Sequence, residues 1–232
     1  MPRERVLVTG SAGHLGEALV RVLRAQGRDA VGLDLLDSPF TTVTGPVTAR
    51  DVVRRCLAGV GAVLHVATLH KPHVGSHGRQ AFVDTNVTGT LTLLEEAVAA
   101  GVESFVFTST TSAFGRALAA EPGGAAEWIT EDVVPVPRNI YGVTKTAAED
   151  LCEIISRDHG LPVVVLRVSR FFPEADDRDD IRTARKRYTG FTTSIAFPGP
   201  GRMGTLVAGR VLPAGHDLIV WNRTPGRTGP LT

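Results

Sequence analysis

Short apolar runs rich in β-branched residues recur along the first 168 residues and alternate with stretches whose apolar positions repeat at helical spacing. The runs Arg5–Thr9, Ala30–Asp34, Ala62–Val66, Ser104–Thr108 and Pro162–Val168 are continuously apolar, as strands buried on both sides are. Between them, His14–Gln26, Arg50–Leu57, Gln80–Ala100 and Tyr141–His159 carry a helical period. In the first of these, Leu15, Leu19, Val22 and Leu23 are expected to line one face. Gly27 and Gly101 follow helices as C-terminal stops. Strand–helix alternation with tight connections predicts a parallel sheet covered on both faces, and right-handed crossovers make it doubly wound.

The pattern then breaks and restarts. Residues 109–140 form a long stretch rich in Gly, Pro, Ser and Thr after a central strand, where loops usually carry function. Residues 173–190 are charge-blocked, with Glu174, Asp176, Asp177, Asp179 and Asp180 before Arg182, Arg185, Lys186 and Arg187. They read as a solvated linker. Thr193–Phe197 and Asp217–Trp221 read as strands around Gly199–Gly204, a GxGxxG with a short helix to about Leu212. This is a second βαβ opening, cut off at Thr232.

Composition narrows the class. The chain has 232 residues, of which 43% are hydrophobic and 21% charged, ordinary values for a globular protein. No apolar stretch approaches the ~18 residues of a membrane span. Met1–Arg5 runs directly into Val6-Leu7-Val8, leaving no room for a signal peptide. Cys56 and Cys152 sit in separate helical segments, which fits a reducing cytoplasm better than a disulfide framework. Net charge is +1, so neither nucleic acid nor a membrane is an expected partner. The charge is uneven, however. Residues 1–180 hold 17 basic and 23 acidic residues, and residues 181–232 hold 8 basic ones and only Asp217. That change marks a junction.

Three groups of residues carry candidate chemistry. Gly10-Ser11-Ala12-Gly13-His14-Leu15-Gly16 follows the first strand and opens the first helix. Its glycines permit a tight turn and let backbone N–H groups approach a pyrophosphate at the positive helix end. Asp34 ends the second strand, where a carboxylate accepts hydrogen bonds from ribose hydroxyls and repels a 2′-phosphate, favouring NAD over NADP. Tyr141 and Lys145 stand four apart, on one helix face. A tyrosine has an ordinary pKa of about 10, and an adjacent ammonium brings phenolate towards acid/base use. In Thr108-Ser109-Thr110-Thr111-Ser112, a hydroxyl is placed to share a substrate oxygen with Tyr141, although any of them can instead close a local turn.

Together these residues resemble the extended short-chain dehydrogenase/reductases, the NAD-dependent epimerase/dehydratases of the UDP-glucose 4-epimerase type, over about residues 4–172. The likeness rests on Thr9–Gly16, Asp34, His65-Val66-Ala67-Thr68, Asn86-Val87-Thr88-Gly89-Thr90, Thr108–Gly115 and Tyr141–Lys145. It implies an α/β Rossmann domain and a catalytic set of Thr110, Tyr141 and Lys145 with Asn86 behind them. It also implies NAD held along Gly10, Gly13, His14, Leu15, Gly16, Asp34, Ala67, Thr68, Asn86, Thr108, Tyr141 and Lys145, and no metal. The chemistry implied is redox at a carbinol carbon of a small molecule, a nucleotide sugar among the candidates. A homodimer is the assembly the resemblance leaves open.

The chain departs from that family in places. The Gly-Asp pair that reads adenine is here Gly45-Pro46, and the usual Asn-Pro-Tyr is Asn139-Ile140-Tyr141. The family's C-terminal substrate domain has no counterpart in the 60 residues after Phe172. Residues 194–227 instead resemble the N-terminus of the 6-phosphogluconate and 3-hydroxyisobutyrate dehydrogenase group, through Gly199–Gly204, Ala214-Gly215-His216 and Trp221-Asn222-Arg223-Thr224. The expected organisation is an NAD-binding domain over 1–172, a charged linker over 173–190 and a partial second unit over 191–232. The rival readings are a non-catalytic NAD-binding module and a truncated fusion fragment. His65, His70, His73 and His77 form a loose cluster with Lys71, expected to be a substrate-side loop.

Overall fold

The computed structural model describes residues 4–117, 133–168, 195–198 and 218–221. The chain divides into two units, Met1–Ser169 and Arg170–Thr232.

The first unit is a six-stranded sheet: β1 (Arg5–Thr9), β2 (Ala30–Asp34), β3 (Val43–Thr44), β4 (Val60–His65), β5 (Ser104–Thr110) and β6 (Val163–Val168). All pairings are parallel and the spatial order is β3-β2-β1-β4-β5-β6. The order reverses between β1 and β4, so their C-terminal ends open the crevice where doubly wound sheets bind ligands. Four of the five expected strands shift by a residue or two at an end or match outright, and β5 runs two residues further than its apolar run. The two-residue edge strand β3 was not expected, being too short to show a hydropathy pattern.

Helices α1 (His14–Ala25), α2 (Arg50–Leu57), α3 (Arg79–Phe82), α4 (Gly89–Ala99) and α5 (Ile140–His159) make the crossovers. A π-helical turn, Val83–Thr88, joins α3 to α4. Leu7, Val63, Phe105 and Phe107 of the sheet are buried with Val53 and Leu57 of α2, Leu93 and Leu94 of α4, and Ala148 and Cys152 of α5. Val6 and Val8, on the alternate strand positions, pack with Val20 and Leu23 of α1. Among the described residues, α1 is the helix packed with that second face. On α1 the expectation holds for Leu23, which is buried with Gly16 and Val20, and for Leu19, which packs against that cluster, but Val22 is 53% exposed. Val20 and Val22 are two residues apart, about 200° round the helix, so one faces the sheet and the other water.

In the second unit, Ile195–Pro198 (β7) and Leu218–Trp221 (β8) pair in parallel, Ile195 opposite Leu218. The expected linker 173–190 and the Gly199–Gly204 loop with its helix lie outside the described residues.

Candidate active site

The glycine loop is shaped by contacts that leave no room for side chains. Gly10 has φ +73°, and a Cβ there would stand 2.8 Å from the Ala67 nitrogen at the end of β4. A Cβ on Gly16 would stand 1.9 Å from the Gly10 carbonyl oxygen, so α1 rests directly on the loop. Gly13 caps α1 with extended backbone. His14 and Leu15 begin the helix at the mouth of the crevice. Asp34 is tied into the same structure: its carboxylate accepts from Ala12 N at 2.9 Å and from Leu36 N at 3.0 Å. A carboxylate offers about four acceptor positions, so the expected ribose contacts remain compatible with both bonds.

A buried hydrogen-bond chain runs from the loop to α5. Thr9 Oγ1 accepts from the backbone N–H groups of Val66 and Ala67, each at 3.1 Å, and donates to His65 Nδ1 at 2.7 Å. The Thr90 hydroxyl donates to the Asn86 carbonyl at 2.7 Å. It therefore accepts from His65 Nε2 at 2.9 Å, which fixes His65 as the neutral Nε2–H tautomer. Burial and the charge of Lys145 push the His65 pKa down to about 3. His65 is thus part of the core and stands apart from His70, His73 and His77, contrary to the cluster of four. Those three stack edge to face along the loop after β4. Among the described residues, no group of three His, Cys, Asp or Glu side chains is placed to hold a metal.

Asn86 sits in the π-helical turn, a feature frequent at functional sites. Its Oδ1 accepts from Leu69 N at 2.8 Å and from the Thr68 hydroxyl at 3.0 Å. Its Nδ2 donates to Leu69 O at 2.9 Å and to Thr144 Oγ1 at 3.0 Å. Thr144 lies in α5 between Tyr141 and Lys145. Asn86 thereby holds the Ala67–Leu69 segment against the helix that carries the tyrosine.

Asn139 caps α5 by accepting from Gly142 N at 3.0 Å, and this sets the first turn in which Tyr141 lies. Tyr141 is 8% exposed. Burial raises its pKa, and a hydrogen bond with Thr110 works the other way. Thr110 Oγ1 accepts from Ser112 N at 3.1 Å, so its own proton points elsewhere, and the turn-closing and tyrosine-facing roles coexist in one hydroxyl. Lys145 is 2% exposed. Its Nζ donates to the Thr108 carbonyl at 2.6 Å and lies 3.8 Å from the centre of the Phe107 ring. Burial pushes its pKa down to about 7, against the opposing pull of Cys152 and Glu149. Lys145 therefore sheds its proton well before Tyr141 does. The expected lowering of the tyrosine pKa by the ammonium is absent from this structure; Thr110 supplies the lowering found there.

A cleft of about 210 Å³ adjoins this couple, lined by Lys71, Thr111, Ser112, Gly115, Arg138 and Asn139. Neither Lys71 nor Arg138 makes an ion pair among the described residues. Sequence reasoning counted Thr9, Thr90 and Thr144 within motifs but gave them no role of their own, because their importance lies in what they touch. It missed Glu149, although its spacing of four from Lys145 was a readable signal.

Comparison with known proteins completes the description. Residues 6–195 match the model of the NAD dependent epimerase/dehydratase family. A UDP-glucose 4-epimerase of Rhizobium meliloti is 32% identical over 170 residues, 69% of this chain and 48% of that protein. A short-chain dehydrogenase/reductase superfamily protein from Agrobacterium tumefaciens, solved with bound NAD, superposes with a TM-score of 0.65 at 27% identity, covering 94% of this chain and 76% of that one. MoeE5 in complex with UDP-glucose and NAD gives 0.64 at 29%, covering 96% and 76%. The chain spans about half the length of the curated relatives it matches.

Proposed function

The chain belongs to the NAD dependent epimerase/dehydratase family, and from that premise we propose that it carries out NAD-linked redox chemistry at a carbinol carbon of a nucleotide sugar, with Tyr141 as acid/base. One observation carries the reading: Lys145, one turn along α5 from Tyr141, bonds to the Thr108 carbonyl near the C-terminal end of β5, the strand that ends at Thr110. Gly10, Gly13 and Gly16 suit a pyrophosphate, because without side chains the loop closes tightly on α1 and on the Ala67 backbone and its N–H groups stay open to an anion. Asp34 suits an unphosphorylated ribose. When bound, NAD supplies the hydride acceptor.

The protein's own part is proton transfer and orientation. Tyr141 takes the hydroxyl proton of the substrate, and Thr110 donates to the same oxygen and holds it. Lys145, held at the Thr108 carbonyl, is the residue placed to reach the ribose. Asn86 keeps the Ala67–Leu69 wall in place. The Lys71–Arg138 cleft suits an anionic substrate such as a sugar nucleoside diphosphate, since two cations line it and neither makes an ion pair among the described residues. We assign the NAD-binding domain to residues 1–172 and leave the linker and partial second unit as the sequence suggests them.

The chain spans about half the length of the curated relatives it matches, and this supports a second reading, a module that binds NAD without turnover. An NAD⁺ titration by calorimetry, followed by a turnover assay on a panel of nucleotide sugars, separates the two. Binding with turnover supports the enzyme, binding alone supports the module, and no binding removes both.

A further inference from the structure

Glu149 is a buried acid that the chemistry above does not use. It follows Lys145 by one turn and Tyr141 by two, on the same face of α5. Its Oε1 accepts the hydroxyl of Ser109 in a short hydrogen bond. Its Oε2 accepts from Arg167 Nη2 at 2.6 Å and Nε at 3.0 Å. The Arg167 guanidinium in turn lies 4.9 Å from the centre of the Phe114 ring. Ser109 is 4% exposed and Glu149 9%, so this is an interior network.

The position of Ser109 gives the network its meaning. Ser109 stands between Thr108, whose carbonyl receives the Lys145 ammonium, and Thr110, the hydroxyl that the reading above pairs with Tyr141. Side chains alternate across a strand, so Ser109 points away from the face on which Thr108 and Thr110 lie. A grip on Ser109 from α5 resists rotation of the strand end about its own axis. Arg167 stands opposite Ser109 in the β5–β6 register, so the same carboxylate ties the last two strands to the helix that carries the tyrosine.

We propose that Glu149 is a positioning residue: by gripping Ser109, with Arg167 steadying its carboxylate, it sets the twist of the β5 end so that the Thr110 hydroxyl meets the Tyr141 phenol. This rests on the reading of Tyr141 and Thr110 as the reacting couple. A merely structural ion pair would hold α5 on the sheet without affecting how Thr110 meets Tyr141.

The test reads the couple without substrate or cofactor. The chain has two tyrosines, so in a Tyr188→Phe background the near-ultraviolet absorbance of phenolate reports Tyr141 alone. Ser109→Ala removes the grip and leaves the Glu149 charge in place; as the loss of one hydroxyl it is the variant least prone to misfolding. It is expected to raise the Tyr141 midpoint, lowering the ionisation constant about fivefold, the equivalent of one ordinary hydrogen bond. Glu149→Ala does the same, and Glu149→Gln, which keeps an oxygen for Ser109, restores most of the loss. In a Thr110→Ala protein, Ser109→Ala adds nothing further. The proposal is overturned if Ser109→Ala lowers the melting temperature but leaves the Tyr141 midpoint unmoved, or if its shift persists without Thr110. If Thr110→Ala alone leaves the midpoint unmoved, the reading of the couple itself falls with it.

Discussion

Lys145 Nζ donates to the Thr108 carbonyl oxygen at 2.6 Å, and that bond places a cation under the end of β5 rather than in water. The Phe107 ring at 3.8 Å gives the charge a second favourable neighbour. Neither replaces full hydration. Burial wins, and the pKa falls to about 7. Because the proton leaves near neutrality, the charge that would help Tyr141 is itself poised to change there.

The stability of the fold should carry the signature of that lysine. The unfolded chain holds the Lys145 proton up to about 10.5 and the folded chain releases it near 7. Between those values the unfolded state binds more protons, so stability rises with pH. From pH 7 to about pH 9 the gain is expected to be roughly 1–3 kcal/mol. Lys145→Met should be more stable than the natural chain at pH 7, with the gap closing towards pH 9. Urea unfolding at a series of pH values measures this, and a constant gap would contradict the burial argument.

His65 makes the opposite end of the pH range informative. Its ordinary pKa of 6.5 falls to about 3 on folding, so its contribution is present above 6.5 and is lost as pH falls towards 3. His65→Gln does not titrate. It should cost stability at neutral pH, since it breaks the Thr9–His65–Thr90 chain. The difference from the natural chain should shrink by roughly 1–3 kcal/mol between pH 6.5 and about pH 4.5. Thermal or urea unfolding across that window tests it, and a difference independent of pH would mean that His65 is not buried neutral.

Some of this was legible in the chain and some was not, for physical reasons. Gly10, Gly16, Asp34, Tyr141 and Lys145 show in sequence because their roles depend on local spacing: a tight turn, a strand end, one helical turn. Val22 was misplaced on the inner face of α1 because it is apolar like Leu19 and Leu23, which do pack there, and only the approach of α1 to the loop at Gly16 selects Val20 in its stead. The two-residue β3 has no period to detect. The Ser109–Glu149–Arg167 network joins β5, α5 and β6, elements whose adjacency exists only after the sheet forms. The coupling of Tyr141 to Lys145 was overstated because spacing reveals proximity and not the cost of burying the ammonium.

Asp34 should matter twice, once for the loop and once for the cofactor. Asp34→Ala removes the bonds to Ala12 N and Leu36 N together with the ribose acceptor. NAD⁺ affinity should fall by roughly 1–3 kcal/mol, read by calorimetry, and Asp34→Asn should lose less because one oxygen still accepts. Equal or tighter binding of NADP⁺ by the unaltered protein would contradict the role given to this carboxylate.

The central claim is that Tyr141 exchanges the substrate proton, and the most direct measurement compares the unaltered protein with Tyr141→Phe, each loaded with NAD⁺ and mixed with nucleotide sugars. Absorbance of the reduced nicotinamide and analysis of the sugar products are followed together. Phe keeps the ring and its packing, so NAD⁺ affinity should stay within about twofold while turnover falls by roughly 10²–10⁴. Turnover in Tyr141→Phe at more than about a tenth of the unaltered rate would contradict the account.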